Sequence, residues 1–161
     1  MPPTLNPAYM NQVIEMVNRS PYLSLLGIRI REVKSGYAKV ELELGEKHLQ
    51  PFGSIHGGVS ASLMDTAAYW AAYADLPEDA GFTSLDLSVT YLSMVKEGKL
   101  VAEGRAVKQG KSVCLTEVTV TDETGRLVAH GTSRLLVLQG RQAMPQALAH
   151  TGHAPLPPKF L

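Results

Sequence analysis

Residues 57 to 74 read Gly57-Gly58-Val59-Ser60-Ala61-Ser62-Leu63-Met64-Asp65-Thr66-Ala67-Ala68-Tyr69-Trp70-Ala71-Ala72-Tyr73-Ala74, with six alanines and Asp65 as the only charged side chain. A helix that is apolar around most of its circumference has to be buried, and small alanines let strands approach its axis closely. The segment predicts a helix through the middle of the core. The rest of the chain must then be able to wrap it.

The flanking residues alternate with a period of two, the signature of half-buried strands. Before the helix, Ile28 and Ile30 alternate with Arg29 and Arg31, and Ala38, Val40, Leu42 and Leu44 alternate with Tyr37, Lys39, Glu41 and Glu43. Lys34-Ser35-Gly36 between them is a hairpin connection. After the helix come Leu85, Leu87, Val89 and Tyr91 facing one way, then Leu100, Ala102, Gly104 and Ala106, then Val118 and Val120, then Leu135 to Leu138. Gln109-Gly110-Lys111 and Asp122-Glu123-Thr124-Gly125 are short connections that make neighbouring strands antiparallel. At the start, Asn6-Pro7 leads into Tyr9, Met10, Val13, Ile14 and Val17 at helical spacing, ending before Ser20-Pro21. The order is a short N-terminal helix, two strands, one long buried helix and four strands. That is an α+β architecture, an antiparallel sheet wrapped around one central helix. It occupies residues 1–139. Over residues 140–161 the periodicity stops and Pro145 to Leu161 holds four prolines, so an extended or disordered tail is expected, with His150 and His153 in solvent.

With 161 residues, 45% hydrophobic and 19% charged, the chain suits one globular domain. Fifteen Lys and Arg balance fifteen Asp and Glu, so no net field gathers nucleic acid or an anionic membrane surface. The lone Cys114 has no disulfide partner within the chain and reads as a small buried strand residue in a reducing compartment. No basic segment followed by an apolar run lies within Met1 to Asn11, and His48 to Met64, free of Lys, Arg, Asp and Glu, is too rich in glycine and polar residues to span a bilayer; a cytoplasmic location is expected. H-E-x-x-H, Cys/His clusters, Walker-type glycine loops and G-x-S-x-G elbows are all absent from the sequence. Neither a metal site nor a cofactor is expected.

Two features carry chemistry. Asp65 is a lone carboxylate in an apolar helix, where full burial carries a large desolvation cost. It either performs a function or sits on a narrow polar stripe with Ser62 and Thr66, or faces water at the helix edge. The second feature is Gln50-Pro51-Phe52-Gly53-Ser54-Ile55-His56-Gly57-Gly58, which runs straight into the helix. Glycines at a helix start leave backbone N–H groups unobstructed at the positive end of the helix dipole, where an oxyanion or polarised carbonyl is stabilised. The same pair also suits a plain tight turn. His56 reads as a base, an N-cap partner or a neutral core histidine. Nine residues separate His56 from Asp65, roughly 900° of helical rotation, which sets them on opposite faces. If both serve one site, Asp65 of one chain faces the helix start of another across a two-fold axis.

His48-x-Gln50-Pro51-x-Gly53-x-x-His56-Gly57-Gly58, Asp65, Thr83-Ser84-Leu85-Asp86-Leu87-Ser88-Val89-Thr90-Tyr91 and Lys108-Gln109-Gly110-Lys111 together resemble the hotdog-fold acyl-CoA thioesterases of the phenylacetate (PaaI-like) group, over roughly residues 20 to 138. The resemblance implies hydrolysis of an acyl-CoA without metal or serine triad, by a homodimer or homotetramer with active sites at the dimer interface. It implies that Gly57 N–H, aided by Gln50, polarises the thioester carbonyl while His56 shapes the loop. Asp65 from the partner then acts as general base or nucleophile, and Ser84 places the water or the acid. Gly58, Lys108, Gly110 and Lys111 are the implied substrate-binding positions, the lysines meeting the phosphates of CoA or standing as ordinary solvated side chains. Gln50-Pro51 matches the branch that carries Glu in the helix, whereas Asp65 and Ser84 match the branch that pairs Asp with Asn at the loop position. Tyr69, Trp70, Tyr73 and Phe82 line an acyl or aryl pocket or form plain core. Alternatives on the same fold are a non-catalytic acyl-CoA binding or sensing module, and a hydratase. The first lacks a basic helical appendage here, and the second would need an acid in the loop Gln50 to Ile55.

Overall fold

The computed structural model of the chain describes residues 3–161. Its elements run α1 (Pro7–Asn18), α2 (Pro21–Leu26), β1 (Arg29–Lys34), β2 (Tyr37–Glu43), a 3-10 turn (Glu46–His48), α3 (Gly57–Tyr73), β3 (Ala80–Tyr91), β4 (Lys99–Gln109), β5 (Val113–Asp122), β6 (Leu127–Gln139) and α4 (Met144–Thr151). The six strands form one antiparallel sheet in the order β1-β2-β4-β5-β6-β3. All three expected hairpins are present, joining β1 to β2, β4 to β5 and β5 to β6. The sheet wraps α3 as anticipated. Among the described residues, no helix is long and apolar enough to cross a membrane.

Burial of α3 follows from its composition. Leu63, Met64, Ala67, Ala68, Ala71 and Ala72 are fully shielded from solvent. On the sheet side the fit depends on Gly104 of β4, where a Cβ would stand 2.3 Å from the Ala67 carbonyl oxygen and 3.1 Å from Ala71 Cβ. Only glycine facing alanine lets the strand and helix backbones come this close. The helix α1 begins on Asn6, whose side chain accepts from Ala8 N–H at 3.0 Å, with Pro7 at the first helical position. Tyr9, Met10, Val13 and Met16 are its buried face.

Three expectations are corrected. A second short helix, α2, occupies Pro21–Leu26, where only a break before the strand at Ile28 was read; Pro21 starts it and Gly27 ends it. Leu85 does not belong to the inward row with Leu87, Val89 and Tyr91. Ser84 pairs with Leu135 and Asp86 with Arg134, so Leu85 is the extra residue of a β-bulge and is half exposed. Finally, residues 140–161 are not an extended or disordered tail. They form α4 and then a strap that returns to the N-terminus, where Asn6 N–H donates to the Lys159 carbonyl at 2.8 Å and Leu161 N–H to the Thr4 carbonyl at 2.9 Å. Lys159 is fully buried, its Nζ donating to the carbonyls of Tyr73 (2.8 Å) and Leu76 (2.5 Å) and lying 4.0 Å from the centre of the Tyr73 ring. The ammonium caps the C-terminal end of α3, where carbonyls lack intrahelical partners. Of the two tail histidines His150 is exposed, and His153 is half-buried with Nδ1 on the Ala154 carbonyl.

Candidate active site

The loop before α3 is built as a closed ring. Gln50 N–H donates to the Ser54 carbonyl at 2.8 Å and Gly53 N–H to the Gln50 carbonyl at 2.9 Å. His56 N–H then donates to the His48 carbonyl at 2.8 Å. His48 is itself buried, its Nδ1 accepting from Gly45 N–H at 2.9 Å, so its Nε2 carries the proton that goes to the Leu26 carbonyl at 2.6 Å. At the helix start His56 is the N-cap, Nδ1 accepting from Gly58 N–H at 2.9 Å. Of the three readings of His56, the N-cap partner is the one the geometry shows. With Gly58 N–H taken by His56 and Val59 N–H by the His56 carbonyl, Gly57 N–H is left without an acceptor among the described residues. Gly57 lines a cleft of about 420 Å³ together with Gln50, Ser54, Ser60, Tyr91 and Met94 among others. Tyr91 closes one side: a Cβ on Gly57 would lie 3.0 to 3.2 Å from its ring and hydroxyl. A free N–H at the positive end of a helix, in a mostly apolar cleft, is an oxyanion-stabilising arrangement.

Asp65 is elsewhere. Eight residues along α3 from Gly57, about 12 Å of helical rise, it lies exposed on the helix surface beside β3, and Ser84 Oγ donates to its Oδ1 at 3.1 Å. Of the alternatives read from the sequence, the helix edge facing water is the one found within a single chain. Ser62 and Thr66 turn their hydroxyls back onto α3, to the carbonyls of Gly58 and Ser62, both at 2.8 Å. Within one chain the two features stand apart: a cleft lined by Gln50 and Gly57, and a serine-tethered carboxylate at Asp65.

The profile of the thioesterase superfamily matches residues 52–129, from the Gln50 loop into β6. A 1,4-dihydroxy-2-naphthoyl-CoA hydrolase of Listeria monocytogenes is 35% identical over 117 residues, which cover 73% of this chain and 95% of that protein. The chain belongs to the thioesterase superfamily. Acyl-coenzyme A thioesterase 13 of Homo sapiens is 30% identical over 76% of this chain and 89% of its own length. A thioesterase from Haemophilus influenzae shares the fold with a TM-score of 0.78 at 23% identity, covering 88% of this chain and 98% of that one. A thioesterase family protein from Silicibacter pomeroyi gives 0.75 at 25% identity, covering 82% and 99%. The architecture is the hotdog fold, and the protein is a thioester hydrolase.

In this thioesterase the remaining sequence candidates lie apart from the cleft. Lys108, Gly110 and Lys111 belong to the β4–β5 hairpin, the lysines exposed. That hairpin is tied to the far end of α3, where Gln109 Nε2 donates to the Ala72 carbonyl at 3.0 Å and Cys114 Sγ donates to Gln109 Oε1 at 2.9 Å. Cys114 is the buried strand residue expected, and burial pushes its thiol pKa up. Trp70, Tyr73 and Phe82 are buried core packed with Tyr69 under α1, and Tyr9 and Tyr73 share a 2.6 Å hydroxyl contact. Within the chain this aromatic set is core, separate from the cleft. Sequence reasoning missed Ser54 and Tyr91, which line the cleft. Tyr91 enters the sequence reading as an apolar strand position and as the end of the Thr83–Tyr91 stretch, with no role in the site attached to it. The signal for Ser54 was its place four residues after Gln50 inside a Pro-Gly turn.

Proposed function

We propose that this thioesterase hydrolyses an acyl- or aryl-CoA to the free acid and CoA, in a site assembled from two subunits. The observation that carries the reading is the free Gly57 N–H, which shares its cleft with the Gln50 amide. In this reading the two donors receive the thioester oxygen as negative charge develops on it. Asp65 of the second subunit takes a proton from water as the water oxygen bonds to the carbonyl carbon, or attacks that carbon itself. When water attacks, the C–S bond then breaks and the abstracted proton passes to the departing thiolate. When Asp65 attacks, C–S cleavage leaves an acyl–aspartyl anhydride, which water hydrolyses to the free acid, restoring the Asp65 carboxylate and supplying the proton of the thiolate. Ser84 keeps the carboxylate aimed. The chain's own groups cover each step without a metal.

The two-subunit arrangement is supported by β3. It is a 12-residue edge strand with one charged residue, Asp86, and an exposed row of unpaired backbone groups. Such an edge is normally covered, and pairing with a second β3 about a two-fold axis covers it and brings Asp65 toward the partner's donor cleft. Leu92, Met94, Ile55 and Val128 give the cleft an apolar lining, with hydroxyls from Ser54, Ser60 and Ser93, which suits an uncharged acyl or aryl group. Lys108 and Lys111 are then free to meet the CoA phosphates at the rim of the assembled dimer.

The test is thiol release from short, medium, long and aromatic acyl-CoAs by the wild type and Asp65→Asn. Turnover that drops by about 10² or more in the variant supports the reading. Acyl-CoA binding with no turnover across the panel replaces it with the sensing module.

A further inference from the structure

Beyond Gln50 itself, we infer that Ser54 is a positioning residue for this reaction: its hydroxyl, through Gln50, aims one amide N–H at the thioester carbonyl. The inference rests on the proposed role of Gln50 and Gly57 as carbonyl donors. The orientation of a glutamine amide is ordinarily ambiguous between its oxygen and nitrogen. Here Phe52 N–H, which can only donate, reaches one end of the Gln50 amide at 2.5 Å, so that end is Oε1. The other end, Nε2, donates to Ser54 Oγ at 2.6 Å. An NH₂ group has two hydrogens, and the Ser54 bond uses one. The second is left for the cleft that Gln50 shares with Gly57.

Ser54 is well placed to hold this geometry. It is 6% exposed, so its hydroxyl does not readily exchange the amide for bulk water. The backbone ring that returns Gln50 N–H to the Ser54 carbonyl at 2.8 Å sets the two side chains face to face. The next residue anchors the turn, with Ile55 N–H donating to the Val95 carbonyl at 2.8 Å and Ile55 bridging to Leu49. A free glutamine side chain samples many rotamers, and fixing it only when substrate arrives costs entropy at the moment of reaction. Tied at Oε1 by the backbone and at Nε2 by Ser54, the amide is already oriented before substrate binds.

The experiment is a set of steady-state measurements on the acyl-CoA that the wild type turns over best, with melting temperatures as a check on folding. Ser54→Ala is expected to lower kcat by about 10-fold with KM changed less than about 2-fold. Ser54→Thr, which keeps a hydroxyl, recovers most of that loss. The combined Gln50→Ala/Ser54→Ala variant loses no more than Gln50→Ala alone, because Ser54 has nothing left to act through. Where Ser54→Ala does not fold, the near-isosteric Ser54→Cys, whose sulfur is a weak acceptor, carries the same comparison. Wild-type kcat in Ser54→Ala, or losses that multiply in the double variant, overturns the positioning role. A wild type that turns over no acyl-CoA rejects instead the reading on which it rests.

Discussion

Ser84 Oγ donates to Asp65 Oδ1 at 3.1 Å, a bond that depends on one extra residue in β3. Ser84 pairs with the buried Leu135 and Leu87 with the buried Ser133, so both face α3 although they stand three positions apart. In an unbroken strand, positions three apart face opposite ways. The bulge at Leu85 resolves the conflict and turns Ser84 toward the helix. Replacing Ser84 by alanine is expected to lower kcat by about 10-fold with little change in KM, since the carboxylate stays but loses its tether. Steady-state kinetics against the wild type decide it, and full activity in Ser84→Ala removes the serine from the mechanism.

Gly57 and Tyr91 form a second coupled pair. A methyl group at position 57 meets the Tyr91 ring at 3.0 to 3.2 Å, tighter than ordinary van der Waals contact. Gly57→Ala should displace the tyrosine from its place beside the helix start and cut kcat by about 10-fold. Adding Tyr91→Ala should then restore little or nothing if the ring shields the donor, and most of the rate if it merely obstructs the methyl. We expect the former, and substantial rescue in the double variant would show that Tyr91 has no part in the site.

Gly104 sets the distance between sheet and core helix. A Cβ there would be 2.3 Å from the Ala67 carbonyl oxygen, a backbone atom that no rotamer change can move. Gly104→Ala should cost about 2 kcal/mol or more, seen as a Tm lower by roughly 5 °C. An unchanged Tm would mean that β4 and α3 separate at no cost.

Lys159 makes stability depend on pH in an unusual direction. Burial lowers its pKa from 10.5 to about 8, against the opposing pull of Asp75 and Glu78. Between those two values the unfolded chain binds the proton and the folded chain does not, so this group's contribution to stability rises with pH across that window. The neutral amine still has two hydrogens for the carbonyls of Tyr73 and Leu76. Burial raises the Tyr9 and Tyr73 hydroxyls above the ordinary tyrosine value, and both tyrosines are common to the wild type and the Lys159→Met variant. The Tm advantage of the wild type over Lys159→Met should therefore grow from pH 7.5 to pH 9.5. A constant or shrinking difference contradicts a buried, capping Lys159.

The site was legible in proportion to how local its chemistry is. Asp65 stood out because a carboxylate among alanines needs a reason, and Gly57-Gly58 because glycines at a helix start expose N–H groups. The split between them was also legible, since helical rotation separates the His56 end from Asp65. Which glycine keeps its donor was not. His56 Nδ1 takes Gly58 N–H, and that depends on a side-chain rotamer that spacing does not reveal. Ser54 was passed over because a serine in a turn is unremarkable until the Gln50 amide is seen to end on it.

By itself the sequence determined the buried α3, the short α1, six of the strands and three hairpins, because these follow from periodicity and turn chemistry within a few residues of each other. Only the tertiary structure decided that β2 lies beside β4 and β3 beside β6, since period-two alternation states which face is buried and is silent on the partner. The bulge at Leu85 belongs to the same class, a mismatch of register between strands some fifty residues apart. The last stretch of chain shows the limit most clearly. Its prolines and lack of periodicity read as disorder, yet Lys159 is fully buried because its amine meets the carbonyls of Tyr73, the last residue of α3, and of Leu76 just beyond it, more than eighty residues earlier. Composition reports what a segment can bury against itself, and that segment is ordered by what another element presents to it.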